Sequence, residues 1–171
     1  VVGDPTAETT TMGPVVSEVQ FNKIRGLIEQ GIKEGAKVVI GGLGRPEGLD
    51  KGYFIRPTIF SQANNEMTVA REEIFGPVMS ILRFNDEAAV ILRANDSDYG
   101  LAAAVFTNDI TRAHRVIHQI QAGICWVNSY GASPAEMPVG GYKLSGIGRE
   151  NGVETLNQYT QLKAVYMGLT P

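Results

Sequence analysis

Two carboxylates and an aromatic ring stand together in Glu72-Glu73-Ile74-Phe75-Gly76-Pro77. A carboxylate accepts hydrogen bonds from both hydroxyls of a ribose, and a neighbouring ring packs on a planar base or its sugar. A Glu-x-Phe unit therefore suits one end of a dinucleotide, although the same residues also suit a solvated acidic helix end beside a core phenylalanine. A second stretch, Gly140 to Gly152, reads GGYKLSGIGRENG. Its glycines permit positive φ and close backbone approach, so that carbonyls converge on a cation or ligand without side-chain obstruction. It also reads as a connecting loop before a helix expected from Glu150 to Tyr159. Glu150 is open to two readings: a carboxylate at a helix N-terminus, stabilised by the dipole, or a buried acid that passes protons when paired with a lysine.

The remaining reactive side chains carry weaker signals. Cys125 is the single cysteine. It falls in the apolar run Gly123-Ile-Cys-Trp-Val-Asn128 with no lysine or histidine nearby in sequence to lower its pKa, so a buried structural thiol is expected. His114 and His118 are four apart on a predicted helix, as in some zinc sites, but the run His-Arg-Val-Ile-His supplies neither an adjacent glutamate nor a third ligand, and exposed helix histidines are expected. The loop Gly41 to Gly48 lacks the order of a P-loop or of Gly-x-Gly-x-x-Gly, and reads as a surface turn.

These residues must be positioned by a scaffold. Ser17-Glu18-Val19-Gln20 has the form of a capping box, followed by a helix to about Glu34 that buries Phe21, Ile24, Leu27, Ile28 and Ile32 and leaves Lys23, Glu29, Gln30 and Lys33 mainly away from that face. Gly35 ends it, and a short buried strand is expected over Lys37 to Gly41. Further on, Val78 to Phe84 reads as a strand, Asp86 to Ala94 as a helix, Ala102 to Thr107 as a strand, Ile110 to Gln121 as a helix and Ile124 to Asn128 as a strand. Strands alternating with helices indicate βαβ units and an α/β fold built on a mostly parallel, Rossmann-like sheet with flanking helices. Tyr159 to Met167 reads as a terminal strand, which needs an edge to pair with.

At 171 residues and 43% hydrophobic content the chain is long enough for one substantial core, and a single globular unit is the default expectation. Its net charge of −3 is scattered, with no basic block to follow a phosphate backbone, which argues against nucleic acid. No apolar run approaches the roughly 20 residues needed to cross a bilayer, and the first residues resemble no signal peptide, so a cytoplasmic protein without membrane association is expected.

The segments Glu72–Pro77 and Gly140–Gly152, together with Val1-Val-Gly-Asp-Pro5, Met12-Gly-Pro14 and Gln161-Leu-Lys163, resemble the NAD(P)-dependent aldehyde dehydrogenase family over essentially the whole chain. Gly123 to Asn128 and Ser133 to Gly141 are most similar to its betaine aldehyde dehydrogenases, which oxidise a trimethylammonium aldehyde to glycine betaine. The resemblance implies that Glu73 binds the nicotinamide ribose of NAD or NADP with Phe75 against it, and that Glu150 serves in a charge or proton relay. It further implies that Lys143 and Gly146 offer backbone carbonyls to a potassium ion. Ser129 to Val139 then forms the substrate-access loop, with Tyr130 and Val139 as pocket-lining candidates. A cationic substrate would favour the Tyr130 face and the Glu136 carboxylate. Many betaine-specific bacterial members have tryptophan at the position of Tyr130, so other small aldehydes stay open. The family's nucleophile, in a Gly-Gln-x-Cys-type motif, and its base, in a Glu-Leu-Gly-Gly-type motif, have no match here, and Cys125 lies after Glu72–Pro77 where the nucleophile would precede it. The chain is expected to be the C-terminal part of such an enzyme, inactive alone. Residues 1–158 would belong to the catalytic domain, and 159–171 would join an oligomerisation sheet of a dimer or tetramer. The alternative is a truncated, non-catalytic assembly module that pairs with itself or with full-length subunits.

Overall fold

Ser17 caps the first helix as its sequence requires: in the computed structural model, which describes residues 1–169, its hydroxyl accepts the Gln20 amide at 3.2 Å. Helix α1 spans Glu18–Lys33 and buries Phe21, Ile24, Ile28 and Gly31. Gly35, at φ +96°, turns the chain out of the helix. The small residue at 31 is needed because a Cβ there would stand 2.4 Å from Val69 Cγ1. Strand β1, Lys37–Ile40, pairs antiparallel with β2, Thr58–Ser61, which pairs parallel with β3, Val78–Ser80. The short helix α2, Thr68–Arg71, lies between β2 and β3 in sequence.

The chain divides into two compact units, Val1–Asn85 and the part from Asp86 onward, where composition alone suggested one. The first has a core of Phe21, Ile24, Ile28, Ala36, Ile55, Phe60, Val69 and Ile74. Burying each of its large side chains contributes about 1.5–3 kcal/mol. β1 is a correction to the expected buried strand. It is an edge with one neighbour, and Val39 and Ile40 are more than half exposed.

Two devices secure this unit. Helix α2 has no side-chain cap of its own, and Glu34, just past the end of α1, substitutes by accepting the Thr68 amide at 2.7 Å and the Thr68 hydroxyl at 2.5 Å. Thr58, only 1% exposed, donates its hydroxyl to Arg56 O at 2.8 Å and accepts the Gly42 amide at 3.0 Å. The glycine-rich loop is thereby tied to β2 at its root, while Leu43, Gly44 and Arg45 beyond it are exposed, as the surface-turn reading expects.

In the second unit α3, Glu87–Asn95, and α4, Ile110–Ile117, are capped by Asp86 and Asp109, each accepting an amide from the first turn. Glu87 holds Arg115 through two bonds of 2.6 and 2.9 Å, joining the two helices. Strands β5, Ala102–Val105, and β6, Ile124–Val127, pair in parallel, while the two-residue strands β4, Tyr99–Gly100, and β7, Tyr142–Lys143, pair antiparallel. The class is α/β, with parallel pieces in both units. A 3-10 turn, Val153–Thr155, leads into α5, Leu156–Tyr159.

The strand expected over Val78 to Phe84 ends at Ser80, and three further expected elements are shorter or absent, each for a local reason. Helix α4 stops at Ile117 rather than Gln121, because Asn95 engages the backbone that continuation would use: its amide donates to Gln119 O and its oxygen accepts Gln121 N, both at 2.8 Å. The last helix does not begin at Glu150, because Asn151 and Gly152 sit at φ +57° and +60°, outside the right-handed helical region. No strand forms between Tyr159 and Met167. Residues 160–169 take no regular structure and no strand edge among the described residues pairs with them, although Leu162 and Tyr166 are fully exposed apolar side chains. The C-terminal end of the expected segment 159–171, residues 170 and 171, lies outside the described residues. Among the described residues no helix is long and apolar enough to cross a membrane.

Candidate functional site

The first unit positions Glu72–Pro77 between α2 and β3. Ile74 is the buried anchor, 8% exposed and part of the core, and the residues on either side of it turn outward. Glu72 and Glu73 are exposed, and the Phe75 ring is 75% exposed. This settles against a core phenylalanine: Phe75 presents its ring to the surface, and the core position belongs to Ile74. The Phe75 backbone is left-handed, at φ +53°. For a residue with a Cβ that conformation costs roughly 1–3 kcal/mol, so the surrounding structure must hold it.

Helix α1 does the holding. Gln20 Nε2 donates to Ile74 O at 2.9 Å and to Phe75 O at 3.0 Å, and Lys23 Nζ donates to Glu73 O at 3.0 Å. Ile24, one turn on from Gln20, packs so closely under Gly76 that a Cβ there would lie 2.5 Å from Ile24 Cδ1. By sequence Gln20 belongs to a reciprocal capping box and Lys23 lies on the side away from the buried face. Ser17 does cap the Gln20 amide, but the Gln20 side chain turns to the Ile74 and Phe75 carbonyls instead of back to Ser17. The signal for these residues was their spacing, since 20, 23 and 24 share one face of a helix. Their partners are backbone carbonyls fifty residues away, which no side-chain pattern announces.

The second unit positions the access and glycine-rich loops. Asn128, at φ +51°, ends β6 and its amide pairs both ways with Thr107, accepting N at 2.8 Å and donating to O at 2.9 Å. Trp126 Nε1 then donates to Ala132 O at 2.7 Å, and its ring lies 5.3 Å from that of Tyr130. Tyr130 is 79% exposed, so one face of an aromatic pair is available at the loop. Val139 and Glu150, a pocket candidate and a relay candidate, are brought together by a two-way backbone bridge of 2.7 and 2.8 Å. Val139 is half-buried and the Glu150 side chain is exposed.

Lys143 is another left-handed residue, at φ +51°, and its ammonium donates to Asn95 O at 2.6 Å and Ser97 O at 2.8 Å, satisfying carbonyls at the C-terminal end of α3. With the ammonium so engaged, the backbone carbonyl is the only Lys143 group suited to a cation. Gly146, at φ +142°, has nothing within 4 Å of where a Cβ would stand, so the loop is open on that side. The residues thus fit a carbonyl-ligated cation in type.

Cys125 is half-buried, where a buried thiol was expected, and its surroundings are those of a structural thiol. It lies in β6 opposite Ala103, its Sγ is 3.7 Å from Ala122 O, and burial pushes the thiol pKa up, away from thiolate chemistry. His114 and His118 are exposed with rings stacked at 5.8 Å, and among the described residues no cluster of three or more metal-ligating side chains forms.

The model of the aldehyde dehydrogenase family matches residues 1–165. The chain belongs to that family. It is 58% identical over 167 residues to a betaine aldehyde dehydrogenase of Brucella anthropi, an alignment covering 97% of this chain and 34% of the relative. Among solved structures it resembles a Mycobacterium tuberculosis aldehyde dehydrogenase complexed with NAD+, with a TM-score of 0.91 and 48% identity over 99% of this chain and 35% of that one. It also resembles a Pseudomonas syringae aldehyde dehydrogenase C variant complexed with NAD+ and octanal, with a TM-score of 0.89 and 44% identity over 93% of this chain and 33% of that one. The chain spans about a third of the length of the curated relatives it matches.

Proposed function

We propose that this chain forms the C-terminal part of an NAD-dependent aldehyde dehydrogenase that oxidises a small aldehyde, betaine aldehyde first among the candidates, to its carboxylic acid. The observation that carries the reading is the presentation of Glu73 and Phe75: an exposed carboxylate and an exposed ring on either side of the buried Ile74, with Phe75 held in a strained backbone conformation. Glu73 accepts the two hydroxyls of the nicotinamide ribose and Phe75 packs against the ring system. When bound, NAD+ supplies the hydride acceptor. Tyr130, backed by Trp126, offers an aromatic face suited to a trimethylammonium group, and Val139 closes the apolar side of the pocket. Glu150 serves as the relay carboxylate, and Lys143 and Gly146 lend backbone carbonyls to potassium.

Because no Gly-Gln-x-Cys-type or Glu-Leu-Gly-Gly-type motif occurs in these 171 residues, the chain alone is inactive. Following NADH absorbance with betaine aldehyde tests this. The protein expressed from its native gene turns over, and the purified 171-residue chain does not; turnover by the chain overturns the assignment of nucleophile and base to other sequence. The exposed apolar residues after Tyr159 favour a second role for that segment, as a strand added to a neighbouring subunit's sheet in a dimer or tetramer. The same feature supports the assembly-module reading, and the intact mass of the native product separates them. A mass near 18.4 kDa favours the module and a mass near three times that favours the enzyme.

A further inference from the structure

We propose that His114 and His118 form a two-ligand chelate on the outer face of α4 for a borderline divalent ion of the nickel, copper or zinc kind. The site does not depend on the cofactor or potassium readings. These are the only two histidines of the chain, and the helix sets them one turn apart on one face. Ala113 and Val116 are buried and fix the roll of α4, so both histidines are carried outward and exposed. Their ring centroids lie 5.8 Å apart with 18° between the planes. Two imidazole nitrogens, each about 2.1 Å from one ion, bring the centroids to about 5 Å, a closure of about 1 Å that rotation of two exposed side chains supplies. The backbone between them already forms the required turn, because His118 N donates to His114 O at 3.2 Å. Arg115 neighbours both histidines on the helix surface and would repel a cation there. Glu87 draws it toward α3 through bonds of 2.6 and 2.9 Å, and holds Arg112 at 3.2 Å as well. Imidazole suits borderline ions, whereas magnesium and calcium take oxygen ligands. With two protein donors and water in its other positions, the ion would be held without being enclosed, unlike a structural zinc. It would bridge the last turn of α4 and clamp it.

The test titrates nickel alone, by calorimetry, into the protein expressed from its native gene. In His118→Gln one nickel site should weaken roughly tenfold or more, because the second imidazole binds intramolecularly once the first is engaged. A double variant, His118→Gln with Gln119→His, keeps the number of histidines and moves one of them off the shared face. It should lose the same site to the same extent. All the replaced side chains are exposed, and His114→Gln decides the matter if a variant at 118 does not fold. Nickel should slow amide hydrogen exchange in the last turn of α4 in wild type and not in the variants. Magnesium in large excess should leave both readouts unchanged. The proposal is overturned if wild type and His118→Gln bind nickel alike, or if the double variant keeps the wild-type affinity. Exchange in α4 that is indifferent to nickel, or displacement of nickel by magnesium, overturns it as well.

Discussion

Thr58→Val should destabilise the first unit although it replaces a polar residue in a buried strand with an apolar, β-favouring one. Thr58 is 1% exposed, and its hydroxyl is fully used, donating to Arg56 O at 2.8 Å and accepting Gly42 N at 3.0 Å. Valine conserves the volume but cannot make either bond. The Gly42 amide is the costlier orphan: Gly42 is buried and Gly41 beside it is pinned, since a Cβ on Gly41 would lie 2.2 Å from Pro57 O, so the loop cannot swing out to find water. An unsatisfied buried amide costs roughly 1–3 kcal/mol and the lost donation to Arg56 O about 0.5–1 kcal/mol. Burying a methyl in place of the hydroxyl returns about 1 kcal/mol. The expected net loss is about 2 kcal/mol, or about 1 M in the urea midpoint at a slope of about 2 kcal/mol per M. Thr58→Ser keeps both bonds and gives up only the methyl, about 1 kcal/mol. Urea denaturation followed by circular dichroism should therefore rank wild type above serine and serine above valine. A valine variant as stable as the serine variant would refute the reasoning, since β-propensity would then outweigh hydrogen-bond satisfaction at this position.

A second test concerns pH and a third the crowding of backbones. Hydrogen bonds from the Thr68 hydroxyl, from Gln30 and from the Thr68 amide hold the Glu34 carboxyl below the usual range. Its folded pKa is thus lower than its unfolded one, so its stabilising contribution is complete above the unfolded value of about 4.3 and disappears as pH falls through the folded value. The stability difference between wild type and Glu34→Gln, measured by denaturant titration at a series of pH values, should be constant near neutrality and shrink in acid; a difference unchanged at the lowest pH contradicts this linkage. In Gly123→Ala the new Cβ would lie 1.9 Å from Gly140 O, a clash with backbone that no rotamer change relieves. A loss of about 3 kcal/mol or more is expected by thermal melt, and a neutral substitution would mean that the two strand ends are not in contact.

The parts of the structure legible in the sequence are those specified by side-chain type and period. Ser17, Asp86 and Asp109 announce helix starts, the apolar face of α1 announces its core, and Ala102–Val105 and Ile124–Val127 are apolar runs between turns. Elements defined by partners were not legible. β2 follows Pro57 without alternation, and β4 and β7 are two residues each and exist through their pairing with one another. α4 was read too long because Asn95, more than twenty residues earlier, captures its continuation. The candidate site divides in the same way. Glu73, Phe75, Tyr130, Lys143 and Glu150 stand out by type and motif. Gln20 and Trp126 bind backbone carbonyls, Asn95 binds both a carbonyl and an amide, and none of these partners has a residue identity to match.

Asn95 has one further consequence, for the order in which the chain can fold as it is made. Its side chain holds Gln119 and Gln121, and its carbonyl is held by Lys143, forty-eight residues later. During synthesis from the N-terminus the contacts described for the first unit all close within its own 85 residues, the widest of the side-chain bonds joining Gln20 to Phe75. In the second unit the widest of the described bonds joins Asn95 to Lys143, forty-eight residues apart. The end of α3 and the turn after α4 can meet once Gln121 has emerged, but the carbonyls of Asn95 and Ser97 wait for Lys143 to leave the ribosome. Until then water satisfies those exposed carbonyls, so the joint between the end of α3 and β7 closes only after α4 and β6 have emerged.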